Sequence, residues 1–478
     1  MKYSRVLLVA LPSQPHRAPR PSIGLGYVAE ALEDARIEYD ILDMLLGYDV
    51  DALKRKIALF KPDLVGFNMF THHYLRSYGI IQKIKQSFPR IKTVVGGPHI
   101  STLKAQVLKD CPGIDYGVMY EGEERLLRLC GGEEEALIPG LVYREDGEVI
   151  CNEPRSFKER YIQDLERVSF PTYRKFELNK YINKEIPLST SRGCPYRCIF
   201  CTVPSVVGGR KIRTRSAGNV VDEIEFWVRK GYTTFTVDDD NFTFYNERIY
   251  EICDEIERRG LENLEFRLHN GVRPDRLSRE LLARMKEVGF NYIEIAVEGG
   301  NDRILKSLRK AEKLDTIKKT IRDACEVGME VYLGFVIGAP EETWSDIEDS
   351  FRVASQFPVW KVDFLNLLPY PGTELFEWVE KNGYFIKDPQ VYLNEDPNYF
   401  EPVFETPLLS REERVRAIEL REETNKRLLY ETAKRKLKRY GVLGAVAARI
   451  FSSYYFQQLY FRNRTVRRLS DGMRRIIS

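Results

Sequence analysis

What the chain does without narrows it first. Its 478 residues contain no run of 18 apolar residues, so nothing in the sequence is long enough to cross a bilayer as a helix. The opening "RVLLVAL" stops at Pro12 and is too short for a secretory leader, so a reducing, cytoplasmic location is expected. Eight cysteines are too few for a disulfide scaffold, and five of them (Cys111, Cys130, Cys151, Cys253, Cys325) stand singly, as buried free thiols do. Net charge is only +3, which gives no global case for nucleic acid. Charge is nevertheless uneven. From residue 426 to the end, fourteen Lys or Arg face only Glu431 and Asp471, about +12, which leaves about −9 for the rest.

What is present reads as α/β. Apolar content of 43% with 30% charged residues describes a globular chain of more than one domain. Strand patterns at 6–11, 38–44, 63–70, 92–97 and 114–120 alternate with helical ones at about 24–36, 50–60, 74–88, 101–111 and 123–130. This spacing predicts a Rossmann-like, doubly wound parallel sheet over 1–135. Ligands of such sheets sit beyond the carboxyl ends of the strands, which here carry "PSQPHRAPRPSIGLG", "FTHH", "GGPH" and "YEGEE". Residues 136–185 read as a connector with a hairpin turning at Asp146–Gly147. Six further strands (187–193, 233–243, 264–271, 292–300, 331–340, 361–370), each followed by a helix, predict a partial (β/α)6 barrel over 186–395. Residues 396–478 read as a basic helical region.

Three cysteines fall within eight residues in "RGCPYRCIFC", directly after the first barrel strand. A structural zinc site wants four ligands, and none follows nearby: the next Cys is Cys253 and the next His is His269. A ferredoxin-type site wants a second Cys-x2-Cys and a Cys-Pro partner, and neither is present. Three thiolates from one tight loop suit three corners of a cuboidal 4Fe–4S cluster. The fourth iron is then open to the amino and carboxylate groups of a molecule such as S-adenosylmethionine (SAM).

With Cys194, Cys198 and Cys201 as metal ligands, the segment resembles the radical SAM superfamily. That resemblance implies reductive cleavage of SAM to a 5′-deoxyadenosyl radical, with no catalytic side chain beyond the cluster and SAM ligands. It places SAM-binding roles on Asp239, Asp240 and Asn241 of "DDDNFT", on Glu298 of "AVEGG", and on Gly334 and Gly338 of "GFVIGAPEET". "PYPGTEL" matches the usual end of the sixth strand.

The first half, through "VVGGPHIS", "YEGEERLL" and "RTRS", resembles the cobalamin-dependent class, which implies cobalamin contacts at Gly96, Gly97, His99, Glu121 and Gly122. The Asp-x-His-x-x-Gly signature that sends a histidine to cobalt is absent: Asp43 is followed by Met44 and Leu45, and His16 lacks the aspartate. The glycine motif also suits an empty fold. The expected activity is cobalamin-dependent C-methylation of an unactivated carbon. The alternative is radical carbon–carbon coupling, cyclisation or rearrangement without methyl transfer.

Expected partners are a small-molecule or lipid substrate and an external electron donor of flavodoxin or ferredoxin type. His72 and His73 read as loop residues that could face the corrin, His269 as a packed barrel histidine, and Tyr196 and Phe200 as cluster shielding. The basic tail leaves three readings open: a packed helical subdomain, peripheral contact with an anionic membrane, or nucleic acid, of which the last is the weakest.

Overall fold

The computed structural model describes residues 1–12, 20–181, 183–203, 209–395 and 399–452. His16 and the tail beyond residue 452 lie outside these residues. The chain divides into two compact units, Met1–Phe242 with Pro369–Asn398, and Thr243–Leu368 with Tyr399–Ser478.

In the first unit, β1 (Arg5–Ala10), β2 (Glu38–Asp43), β3 (Leu64–Asn68), β4 (Lys92–Gly96) and β5 (Tyr116–Val118) run parallel in the order 2-1-3-4-5. They alternate with α1 (Ile23–Asp34), α2 (Val50–Phe60), α3 (Tyr74–Ser87), the short α4 (Pro98–Leu103) and α5 (Ala105–Asp110), and α6 (Glu123–Gly131). The strands are near-continuous Val, Leu and Ile because helices cover both faces. Leu7, Val9, Val65, Phe67 and Val95 meet Leu53, Ile57, Ile81 and Ile84 in one core cluster. Serine and aspartate N-caps at Ser22 and Asp49 fix where α1 and α2 begin.

The hairpin expected in the connector is β6 (Leu141–Glu145) and β7 (Glu148–Cys151). Its turn residues Asp146 and Gly147 both have positive φ, as a two-residue I′ turn requires. It pairs antiparallel onto β5 and extends the sheet to seven strands. A single turn, α7 (Phe157–Arg160), follows.

The second βα series starts in the same unit. Strand β8 (Glu185–Leu188) ends earlier than its apolar pattern predicts. Ser191–Arg192 (β9) instead pairs antiparallel with Arg213–Thr214 (β10), two residues a side, across the neck of the cysteine loop. Helix α8 (Ala217–Arg229) leads to β11 (Thr234–Val237), parallel to β8.

The second unit begins with α9 (Asn246–Arg258). It then stacks β12 (Glu265–Val272), β13 (Phe290–Glu298), β14 (Glu330–Ile337) and β15 (Lys361–Asn366) in parallel. Their helices are α10 (Arg279–Glu287), α11 (Asp302–Ser307), α12 (Leu314–Glu326) and α13 (Trp344–Ala354). The chain then returns to the first unit as α14 (Glu374–Lys381) and α15 (Pro389–Tyr392).

The expected basic helix is α16 (Arg411–Lys436), started by a capping box at Ser410 and Glu413. It lies along edge strand β15, where Asn425 donates to Val362 O (2.6 Å) and accepts from Val362 N (2.7 Å), so the exposed ladder is covered. Helix α17 (Gly441–Phe451) follows, with Val442, Leu443, Val446 and Ile450 exposed. Among the described residues, no helix is long and apolar enough to cross a membrane.

Candidate cluster and cofactor site

The cysteine loop leaves β9 and is tied down at several points. Cys194 N donates to Gly209 O (3.0 Å), Cys201 N to Cys198 O (3.2 Å), and Leu375 N to Ile199 O (2.9 Å). None of the three is in a disulfide, and all three are half-buried. They lie near enough that Cys194 and Cys198, together with burial as the larger cause, push the Cys201 thiol up to about 12. A cuboid spreads its thiolates over three separate metals, and three thiolates from one loop fit that donor set.

The acidic stretch after β11 divides its work. Asp239, 3% exposed, accepts from Thr190 N (2.6 Å), Thr190 Oγ1 (2.5 Å) and Ser191 Oγ (2.6 Å), so its carboxylate holds the strand leading into the cysteine loop. Those bonds explain why β8 stops at Leu188: the residues after it turn toward Asp239. Asp240 accepts from Gly193 N (2.7 Å), and burial pushes its carboxyl up to about 6. Asn241 donates Nδ2 to Cys194 Sγ (3.7 Å) while its buried Oδ1 has no partner. A buried acceptor left unpaired costs about 1–3 kcal/mol, so this oxygen fits a donor supplied by a ligand.

Glu121 is also spent within the protein. It takes Arg213 Nη1 at 2.8 and 2.9 Å, Arg192 Nη1 at 3.2 Å and the Ile162 amide at 2.5 Å. Glu123 takes Arg192 Nη2 at 2.8 Å. Gly122 is the residue before α6, with only Val28 and Val118 near a notional Cβ. Neither arginine carried a role in the sequence reading. Their signal was position alone, one before and one after the cysteines.

At the carboxyl end of the N-terminal sheet the two glycines behave differently. Gly97 has φ +105°, and a Cβ there would lie 2.7 Å from Met69 O. Gly96 is open: a Cβ would meet nothing nearer than Val118 O at 3.9 Å, and that bare edge fits a bulky planar ligand. Pro98 has no amide, and the His99 amide already donates to Met69 O (3.3 Å), so the start of α4 offers little to a phosphate.

His99 is fully buried. It stacks on Tyr74 at 4.9 Å and shares a 3.0 Å hydrogen bond with Tyr78 Oη, and burial pulls its imidazole down to about 4, so it is neutral. His72, likewise lowered to about 4 by burial and then by His73, meets the Tyr370 hydroxyl through Nε2. His73 Nδ1 contacts Asn394 O (3.2 Å).

In the second unit, Glu298 ends β13 with φ +67°, a conformation that L residues adopt at a cost, and its carboxylate meets Lys310 Nζ at 3.4 Å. Gly334 leaves a bare patch on β14, where only Glu294 Oε1 comes within 4 Å of a notional Cβ. Gly338 is different. Its φ is +101°, and the space over it holds the guanidinium of fully buried Arg414 from α16, 2.5–2.9 Å from a notional Cβ. His269 packs on Tyr292 at 4.4 Å.

The family comparisons agree with this layout. Residues 188–354 match the radical SAM superfamily, and residues 18–129 match the B12 binding domain. The chain is thus an α/β enzyme that pairs a radical SAM domain with a B12 binding domain N-terminal to it. The cofactors that these two domains imply are a 4Fe–4S cluster, SAM and cobalamin.

An uncharacterized methyltransferase of Pyrococcus horikoshii is 28% identical over 80% of this chain and 84% of its own length. The anaerobic magnesium-protoporphyrin IX monomethyl ester cyclase of Rubrivivax gelatinosus is 27% identical over 84% and 74%. Among solved structures, the radical SAM methyltransferase TsrM of Kitasatospora setae, with cobalamin and a 4Fe–4S cluster bound, superposes with a TM-score of 0.69. It is 21% identical and is covered for 79% of its length, against 80% of this chain, so the likeness is one of fold.

Proposed function

We propose that this enzyme methylates an unactivated carbon of a small-molecule substrate. The observation that carries the reading is the loop of three cysteines outside any disulfide, in the same unit as a parallel sheet whose Gly96 edge is bare. When bound, the cluster supplies the electron that cleaves SAM to a 5′-deoxyadenosyl radical, and cobalamin carries the methyl group.

The chain's own residues hold and orient. Cys194, Cys198 and Cys201 would hold the cluster and leave it open to SAM. Asn241 Oδ1 accepts from SAM, with Asp240 fixing the loop beside it. Glu298 and Gly334 are the further candidates for contact with SAM. Gly96 keeps the sheet edge clear for the corrin ring, Gly97 makes the tight turn against Met69 beside it, and His99 and Gly122 help to shape that edge. Asp239, Glu121 and Gly338 fulfil packing tasks in place of cofactor contacts.

Anaerobically reconstituted protein is expected to release 5′-deoxyadenosine with dithionite and to move label from methyl-labelled SAM into product. Cys198→Ala abolishes the cluster absorbance and 5′-deoxyadenosine together; a triple Cys→Ala variant that still forms 5′-deoxyadenosine refutes the mechanism. The relative named a cyclase favours a second reading, ring formation without methyl transfer, which the same experiment identifies by 5′-deoxyadenosine release with no label in product.

The finer reading places the enzyme in the cytoplasm with a flavodoxin or ferredoxin as donor. It includes lipids among the substrates and gives the basic C-terminal region a contact with anionic membrane. The support for that contact is the exposed apolar face of α17 within a strongly basic segment. Cosedimentation with anionic liposomes that weakens with salt is expected, and equal binding to neutral liposomes contradicts it.

A further inference from the structure

The loop that bears the cysteines enters through Arg192 and leaves through Arg213, and these residues form the ladder across its neck. Two residue pairs are too short a ribbon to set a loop's geometry by themselves. Side chains do the holding. Both guanidinium groups reach the carboxylate of Glu121, Arg192 also reaches Glu123, and the second Glu121 oxygen takes the Ile162 amide.

The arrangement is dry. The side chains of Arg213 and Glu121 are each 6% exposed and that of Arg192 14%. Arg192 lies over the Tyr27 ring at 4.6 Å and Arg213 over Tyr161 at 5.1 Å. Glu121 and Glu123 stand at the start of α6, immediately after β5 of the seven-stranded sheet. Both ends of the cysteine loop are therefore pinned to the sheet proposed to hold cobalamin, while Asp239 and Asp240 pin the strand entering it from the other side.

We propose that Glu121 is a positioning residue for the cluster: through Arg192 and Arg213 it sets the cysteine loop and transmits the state of the cobalamin-binding sheet to the iron site. It touches neither cofactor. Glu121, Glu123 and Asp240 face the two guanidinium groups at the neck. Neutralising Glu121 removes one of those negative charges and leaves the field beside the cluster more positive. A more positive field favours the reduced, more negative cluster and raises its potential. The coupling to cobalamin rests on the function proposed above, whereas the positioning role does not.

The test uses the full-length, reconstituted protein. Glu121→Gln is expected to raise the cluster reduction potential, shift the EPR g-values of the reduced cluster, and abolish any change in them on adding cobalamin; Glu121→Asp recovers part of each. Leu126→Ala, which truncates a buried apolar residue of α6, lowers Tm as a structural control and leaves potential and g-values at wild type. A Glu121→Gln protein that loses Tm but keeps the wild-type potential, g-values and cobalamin response overturns the proposal. Potential and g-values are read first without cobalamin. Failure of the wild type to take up cobalamin thus refutes the proposed cofactor use and leaves the positioning test intact.

Discussion

Gly338→Ala separates two reasons for a glycine at the end of β14. If the glycine exists so that adenine can lie on the backbone, alanine weakens SAM binding and spares stability. The structure supplies another reason. At φ +101° an L side chain is strained by about 1–3 kcal/mol. The new methyl would also stand 2.5 Å from Arg414 Nη2 and 2.7 Å from its Cζ.

Arg414 has no route to water. Its Nε donates to Asn366 Oδ1 (2.9 Å), Nη1 to Phe404 O and Nη2 to Ile337 O (3.2 Å). Displacing the guanidinium by a few tenths of an ångström loosens at least one charged hydrogen bond, each about 1.5–3 kcal/mol. The expected loss is about 3–6 kcal/mol, large beside the 5–15 kcal/mol of a typical domain. Arg414→Met alone leaves buried carbonyls unpaired and loses about 3–5 kcal/mol. In the double variant the clash is gone and only the dihedral strain is added, so its loss falls short of the sum of the two single losses by about 2 kcal/mol or more. Urea denaturation followed by circular dichroism reads all four proteins. Unchanged midpoints in Gly338→Ala with a raised KM for SAM refute the packing argument.

Three further outcomes follow from the same coordinates. Gly97→Ala is expected to lose about 2–4 kcal/mol because it combines positive φ with a Met69 O contact, whereas Gly96→Ala stays within about 0.5 kcal/mol of wild type yet retains less cobalamin after gel filtration. Burial holds the Glu342 carboxyl up to about 7 against an ordinary 4.5, so the folded state prefers it protonated and stability declines as pH rises from about 4.5 to 7. Glu342→Gln flattens that slope in thermal melts, and a slope unchanged in the variant refutes the assignment. His72 and His99, lowered to about 4 by burial, act in the opposite window: acidification from about 6.5 toward 4 destabilises the fold as they charge, and His99→Gln removes part of that loss.

Much of this protein is written in local patterns. Alternation of apolar strands with amphipathic helices, at spacings too short for other connections, places the βα elements in order, although the barrel strands expected at 187–193, 233–243 and 361–370 end four to six residues earlier. The Asp-Gly pair announces its hairpin. Three cysteines at x3 and x2 spacing announce a cluster with an open iron. These readings depend on neighbours in the chain, so a linear sequence carries them.

What a carboxylate or a glycine is for depends on partners far away in sequence, and there only the folded chain decides. Asp239 and Glu121 look alike as strand-end acids, but one is claimed by Thr190 and Ser191 and the other by Arg192 and Arg213, 71 and 92 positions further on. Gly338 looks like a ligand platform until α16 brings Arg414 over it, 76 residues later. A buried charge must be met by whichever group the tertiary structure delivers, and desolvation makes that pairing obligatory without making it predictable from spacing.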